Sequence, residues 1–158
     1  MSKSDRTSPQ DSGARAEQLL RDAQVRVTPA RIQVLATLLD APRALTHHDV
    51  QENLLALDRV TLYRTLDFLT ETGLAHKIAA DDRVFRYSAG ADQAAQEAGM
   101  KHQQHGHFKC TRCAKVFCLD TSGEAAMLRE ALQGSLGRGF QSHDIEFTIK
   151  GWCADCAH

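Results

Sequence analysis

The stretch "LDRVTLYRTLDFLTETGLAHKIAADDRVFRYSA", residues 57–89, decides the fold. Asp58 suits the cap of a helix that begins there, and Gly73 suits the left-handed position just past its end. Leu62, Leu66 and Leu69 fall on one face of that helix, whereas Tyr63, Arg64 and Asp67 fall on another. "LAHKIAA" and "RVFRYSA" are then strand-like runs joined by Asp81 and Asp82, which predicts a β-hairpin.

Working upstream, "LTHHDVQENLLAL" (residues 45–57) opens with Thr46 as a helix cap and Asp49 three positions on, a capping-box pair. "VTPARIQVLATLLDAP" (27–42) places Thr28 at the cap and Pro29 at the first helical position. Ile32, Leu35, Leu38 and Leu39 form its apolar stripe, and Pro42 ends it because the residue before a proline resists helical geometry. A shorter helix is predicted from Arg15 to about Ala23, with Leu19, Leu20 and Ala23 on one face. Residues 1–14, rich in Ser, Asp, Thr and Gly, read as a flexible tail. Helices with a short last connection, followed by a hairpin, give the order of a winged helix-turn-helix. It is expected over residues 15–89.

Downstream, residues 90–103 lack an apolar stripe and read as a linker. The remainder, 104–158, reads as a small α/β domain, so the whole is α+β. "HFKC" and "KVFCL" predict a hairpin around Cys110 and Cys113. "GEAAMLREALQGSLG" is an amphipathic helix carrying Met127, Leu128, Ala131, Leu132 and Leu136. "HDIEFTIKG" alternates, with Ile145, Phe147 and Ile149 to one side, and predicts a half-buried strand.

The chain has 158 residues, 42% hydrophobic and 25% charged, enough for a packed core of one domain or two small ones. No run approaches the length of a membrane span, and the polar start "MSKSDRTSPQDSG" has no apolar segment of the secretory kind, so a soluble, cytoplasmic protein is expected. In a reducing compartment its five cysteines are read as metal ligands or reactive thiols before disulfides. The net charge of −1 gives no general basic footprint. Any nucleic-acid binding must rest on a few well-placed side chains.

Cys110 and Cys113 form one CxxC turn, and Cys153 and Cys156 in "GWCADCAH" form another. Two such turns can converge into a tetrahedral thiolate set, which suits zinc. A redox dithiol is the alternative, but that motif follows a strand and opens a helix, and neither pair here does. A closed four-sulfur site has no open coordination position, so its role is to build the fold. Cys118 is left over, and a strand cysteine is commonly a small buried apolar residue. The histidines change the weighing. His105 and His107 are two apart on a strand and point the same way, His102 sits just upstream, and His76 lies in the first strand of the hairpin. Imidazoles with one thiolate make a natural zinc set.

"VTPARIQVL" (27–35), "RVTLYRTLDFLTETGLAHKI" (59–78), "HGHFKCTRCAKVF" (105–117) and "HDIEFTIKGWCADC" (143–156) together resemble the ferric uptake regulator family of bacterial metal-dependent repressors. The likeness runs from about residue 15 to the end of the chain. It implies a homodimer, an N-terminal winged helix that reads double-stranded operator DNA, and a C-terminal dimerisation domain. Metal held between the domains would set the angle of the DNA-binding parts. The recognition helix would carry Arg59, Thr61, Tyr63 and Arg64, with Tyr63 packing on thymine methyls and Arg64 bonding guanine.

Iron-responsive members carry a Glu where this chain has Arg86, and another where it has Cys118. Gln104 and Gly106 stand at two further ligand positions, while His143 keeps its family place. "LAHKI" resembles the zinc uptake regulator branch, in which the histidine matching His76 binds zinc and a Cys commonly stands where this chain has Ser88. The resemblance therefore implies a zinc-responsive repressor of zinc homeostasis genes. One zinc would be structural, on Cys110, Cys113, Cys153 and Cys156. At least one more would be regulatory, on His76, His105, His107 and Cys118, with His102 as a substitute. An iron- or peroxide-responsive regulator is the runner-up. A metalloenzyme using Cys118 as nucleophile is the reading from another class, and the chain has no Gly-rich anion loop or activated-nucleophile motif to support it.

Overall fold

The computed structural model describes residues 9–90, 106–119, 124–142 and 147–157. The expected linker falls almost wholly outside them, as do His102, His105 and His143. The chain divides into two compact units, residues 1–101 and 102–158.

In the first unit the order is α1 (Pro9–Asp22), α2 (Pro29–Asp40), β1 (Leu45–Thr46), α3 (His47–Asn53), α4 (Arg59–Glu71), β2 (Ala75–Ile78) and β3 (Arg86–Ala89). Three helix starts follow the caps legible in the sequence. Thr28 accepts from the Arg31 amide at 3.3 Å, Thr46 and Asp49 form a reciprocal capping box, and Asp58 accepts from the Thr61 amide at 2.9 Å. After α4, Gly73 takes φ +76°, which a side chain would strain. Gln51 Nε2 donates to the Leu57 carbonyl at 2.7 Å and so closes the α3–α4 turn.

The three strands form a sheet in the order β1-β3-β2, with both pairings antiparallel. It packs with the helices around Leu20, Val34, Leu35, Val50, Leu62, Leu66 and Leu69, all fully buried, with Leu74 and Tyr87 completing the core. Each such leucine contributes about 1.5–3 kcal/mol relative to exposure. This is a winged helix-turn-helix, with β2 and β3 as the wing. As the chain leaves the wing, Gly90 donates to the Leu74 carbonyl at 2.7 Å. A Cβ there would lie 2.4 Å from the Gly73 oxygen, so no other residue fits without a shift of backbone.

Three expectations need correction. Residues 9–14, read as part of a flexible tail, belong to α1. Pro9 and the acidic Asp11 suit a first turn, and the buried Ser12 hydroxyl donates to the Asp40 carboxylate of α2. The second wing strand starts at Arg86 and not at Arg83, because Arg83 turns left-handed at φ +60° and its amide bonds the Ala80 carbonyl. In the second unit Ile149, expected on a half-buried face, is 57% exposed within a single chain.

That second unit contains β4 (Gly106–Cys110), β5 (Val116–Leu119), α5 (Glu124–Gly134) and β6 (Phe147–Gly151). Its sheet has the order β5-β4-β6, with β4 antiparallel to β5 and parallel to β6. The register sorts side chains by face. Phe108, Phe117, Leu119, Phe147 and Ile149 share one side, while His107, Lys109, Cys118, Thr148 and Lys150 share the other. On α5 and the loop after it, Met127, Leu128, Leu132, Leu136 and Phe140 are all exposed within one chain. Among the described residues no helix is long and apolar enough to cross a membrane.

Candidate metal centres and nucleic-acid interface

The four cysteines converge as their spacing predicts. Cys110 ends β4, Cys113 lies in the turn that follows, and Cys153 and Cys156 lie in the turn after β6. Because β4 and β6 are parallel neighbours, both strands deliver their turns to the same end of the sheet. One sulfur from each of the four residues lies within 4.8 Å of all the others. Cys113 Sγ is 3.7 Å from Cys153 Sγ. That is far beyond a disulfide bond. It matches the edge of about 3.8 Å that a tetrahedron with zinc–sulfur bonds of about 2.3 Å requires.

Ordinary protein contacts sew the two turns together. The Thr111 amide donates to the Gly151 carbonyl at 2.8 Å, Arg112 reaches the Cys156 carbonyl at 2.5 Å, and Lys115 pairs with Asp155 at 3.0 Å. The Arg112 guanidinium also lies over the Trp152 ring at 3.7 Å. Arg112, Lys115, Trp152 and Asp155 escaped sequence reasoning, since only the parallel pairing of β4 with β6 brings them together. The thiols feel one another. Amide donation from Cys113 is the largest influence that brings Cys110 down to about 6, and the Cys153 amide adds to it at 3.4 Å from the sulfur. Hydrogen bonding to Cys153, followed by burial, pushes Cys156 up. Four thiols so close cannot all ionise unaided, and a soft dication relieves that conflict. The donor set fits zinc.

The second group of candidate ligands is divided between the two units. His76 lies in β2, opposite Ser88 of β3. His107 and Cys118 are direct cross-strand partners in the β4–β5 ladder, both half-buried on the polar face. A strand pair set so close offers imidazole and thiol to a single ion. Arg86 occupies the place where iron-type relatives were expected to carry a carboxylate. It is buried and bonded by both guanidinium nitrogens to Asp82, at 3.0 and 2.7 Å. That hydrogen bonding raises its pKa, so the position carries a fixed cation and cannot ligate.

On α4, Arg59, Tyr63 and Arg64 are exposed and Thr61 is half-buried. Leu62, Thr65, Leu66 and Leu69 occupy the opposite, buried face. The Tyr63 ring stacks on His47 of α3 with centroids 3.6 Å apart and planes 18° from parallel. Together with Thr46, Gln51, Arg59, Arg83, Val84, Phe85 and Tyr87, they line a cleft between the helix-turn-helix and the wing.

A winged helix joined to a small sheet that gathers four cysteines defines a class of metal-dependent regulators. The model of the ferric uptake regulator family matches residues 22–148, and the chain belongs to that family. Its members are DNA-binding, metal-binding transcription regulators, not enzymes. The chain is 28% identical to the zinc uptake regulation protein of Escherichia coli K12 over 156 residues, 96% of this chain and 85% of that protein. It is 32% identical to the transcriptional regulator FurA of Mycobacterium tuberculosis H37Rv over 146 residues, 90% of this chain and 89% of that one. Among solved structures, a zinc uptake regulator complexed with zinc and DNA is similar at TM-score 0.63 and 25% identity, covering 96% of each chain. The Helicobacter pylori ferric uptake regulator shares the fold at TM-score 0.61 and 16% identity, covering 100% of this chain and 98% of that one.

Proposed function

We propose that this protein is a cytoplasmic, zinc-responsive repressor that binds a palindromic operator as a metal-loaded homodimer and controls genes of zinc homeostasis. The observation that carries the zinc reading is the His107–Cys118 pair. Nitrogen and sulfur donors on adjacent strands suit zinc, whereas iron(II) and manganese sites favour oxygen. The Arg86–Asp82 pair supports the same choice, because it puts a guanidinium where an oxygen ligand would be needed.

In this reading residues 15–89 bind DNA, with Arg59, Thr61, Tyr63 and Arg64 meeting it. Residues 104–158 pair the subunits and hold metal. The homodimer agrees with the exposed apolar residues of α5 and with Ile149 of β6, which a second copy would cover. Cys110, Cys113, Cys153 and Cys156 would hold the structural zinc, and His76, His105, His107 and Cys118 the regulatory one, with His102 as substitute. A zinc ligated by residues of both units would restrict the recognition helices to the spacing that the operator demands. Metal then acts as a ligand that selects one conformer, and operator DNA raises metal affinity in return.

An iron- or peroxide-responsive role is the second reading, and the 32% identity to the mycobacterial FurA favours it. Retardation of a palindromic duplex by the chelated protein, with zinc, iron(II) or manganese(II) added back, separates the two. Zinc alone should restore binding. Restoration by iron(II) and not by zinc would establish the second reading.

A further inference from the structure

His47, which stacks on Tyr63, belongs to neither proposed metal site and is not among the recognition-helix residues assigned above. His47 is the first residue of α3, held there by the Thr46–Asp49 capping box. The box is itself clamped, since Arg43 reaches both oxygens of Asp49 at 3.1 and 3.3 Å. The imidazole is therefore anchored at its base. Its Nε2 is buried and has no hydrogen-bond partner among the described residues. The ring's orientation is accordingly set by packing, and its neighbour is the Tyr63 ring, 3.6 Å away and nearly parallel. Burial, helped by Arg59 and His48, holds the His47 pKa below its ordinary value. A neutral ring is the form that stacks on a phenol without a buried charge.

Tyr63 needs such support. It is 41% exposed and flanks the buried leucine stripe of α4 without belonging to it, and besides the Arg59 guanidinium at 5.9 Å the ring against it is His47. An unsupported tyrosine would lose rotamer freedom on meeting a base, and that cost would weaken binding. We propose that His47 is a positioning residue for base readout: through the stack it holds the Tyr63 ring in its DNA-reading orientation before DNA arrives. The inference rests on the DNA reading of α4 proposed above.

The test uses the full-length, zinc-loaded protein and a palindromic duplex that it enriches from a randomised pool, with a scrambled duplex as reference. His47→Ala should weaken binding to the enriched duplex about two- to twelvefold, the range that corresponds to an aromatic pair's coupling, and leave the scrambled duplex nearly unchanged. His47→Phe, which keeps a stacking ring and cannot ionise, should restore binding. In a Tyr63→Ala background the His47→Ala loss should largely vanish, since the two side chains act as one unit. Additive losses, or equal losses on both duplexes, would overturn the proposal. So would a His47→Phe variant that melts like the parent yet binds as poorly as His47→Ala. The stack has its own readout without DNA, a ring-current shift of the His47 protons that Tyr63→Ala removes. A parent protein that shows this shift but enriches no duplex would defeat the DNA reading, and the readout role with it, while leaving the stack standing.

Discussion

Cys118 of β5 stands directly opposite His107 of β4, in a ladder whose far end delivers Cys110 and Cys113 to the four-sulfur cluster. One short hairpin thus carries donors of both proposed zinc sites. The two sites differ in kind. The cluster is closed and belongs to a single unit, so a metal held there would stabilise that unit. The His107–Cys118 pair supplies only two donors and needs others, which is the property of a site that can report occupancy.

Cys153 is buried, with its sulfur 3.7 Å from that of Cys113 and its amide on Cys110. Cys153→Ser should therefore lose one zinc per chain and unfold the second unit, because the binding energy of such a site is folding energy. Metal content and circular dichroism of the purified variant check this. A well-folded, dimeric Cys153→Ser protein with one fewer zinc would refute it.

Asp49 caps α3 and meets Arg43. Burial alone would raise its pKa, but the Arg43 guanidinium and the amide and hydroxyl of Thr46 outweigh burial and hold it at about 2. A carboxyl depressed from its unfolded value contributes stability that is fully present above about pH 4 and is lost as pH falls through about 2. Asp49→Asn should cost about 1–2 kcal/mol at pH 7, after allowance for solvent screening. The difference from the parent should shrink steadily between about pH 4 and pH 2. Denaturant melts across that range decide it, and a difference independent of pH would mean the ion pair contributes nothing.

Arg64 is exposed on the face of α4 opposite the core. If it reads a base, Arg64→Ala should weaken operator binding by about 1–3 kcal/mol with metal content unchanged. Equal losses on operator and random DNA in a titration would reduce it to a phosphate contact.

The local signals of this chain are legible in its sequence, and its long-range contacts are not. The starts of α2, α3 and α4 depend on Thr28, Thr46 and Asp58, each acting on its own first turn, and all three caps form as expected. The first turn of α1 also holds Ser12, whose hydroxyl reaches Asp40, 28 residues away, and no local pattern announces that contact. The two-residue β1 is too short to carry an alternation, and only its pairing with β3 reveals it. The two CxxC turns announce a common site by spacing alone, but the Arg112, Lys115, Trp152 and Asp155 contacts that join them follow from the parallel pairing of β4 with β6. The opposition of His107 and Cys118, and the His47–Tyr63 stack, are likewise products of register and packing. Phe147 and Ile149 share one face of β6 as alternation predicts, but alternation does not show which chain covers that face, and within a single chain Ile149 is exposed.

The most direct test of zinc sensing is operator binding against free zinc for the parent, His76→Ala and Cys118→Ser, with metal content measured on the same samples. His76 and Cys118 belong to different units of the chain, and neither is part of the four-sulfur cluster. Each variant should keep one zinc per chain and remain a folded dimer. Each should also lose zinc-induced binding, its apparent affinity falling to that of the metal-free parent as the competent conformer becomes scarce. Variants that keep the parent's zinc response would contradict the account, and would place sensing elsewhere than His76 and Cys118.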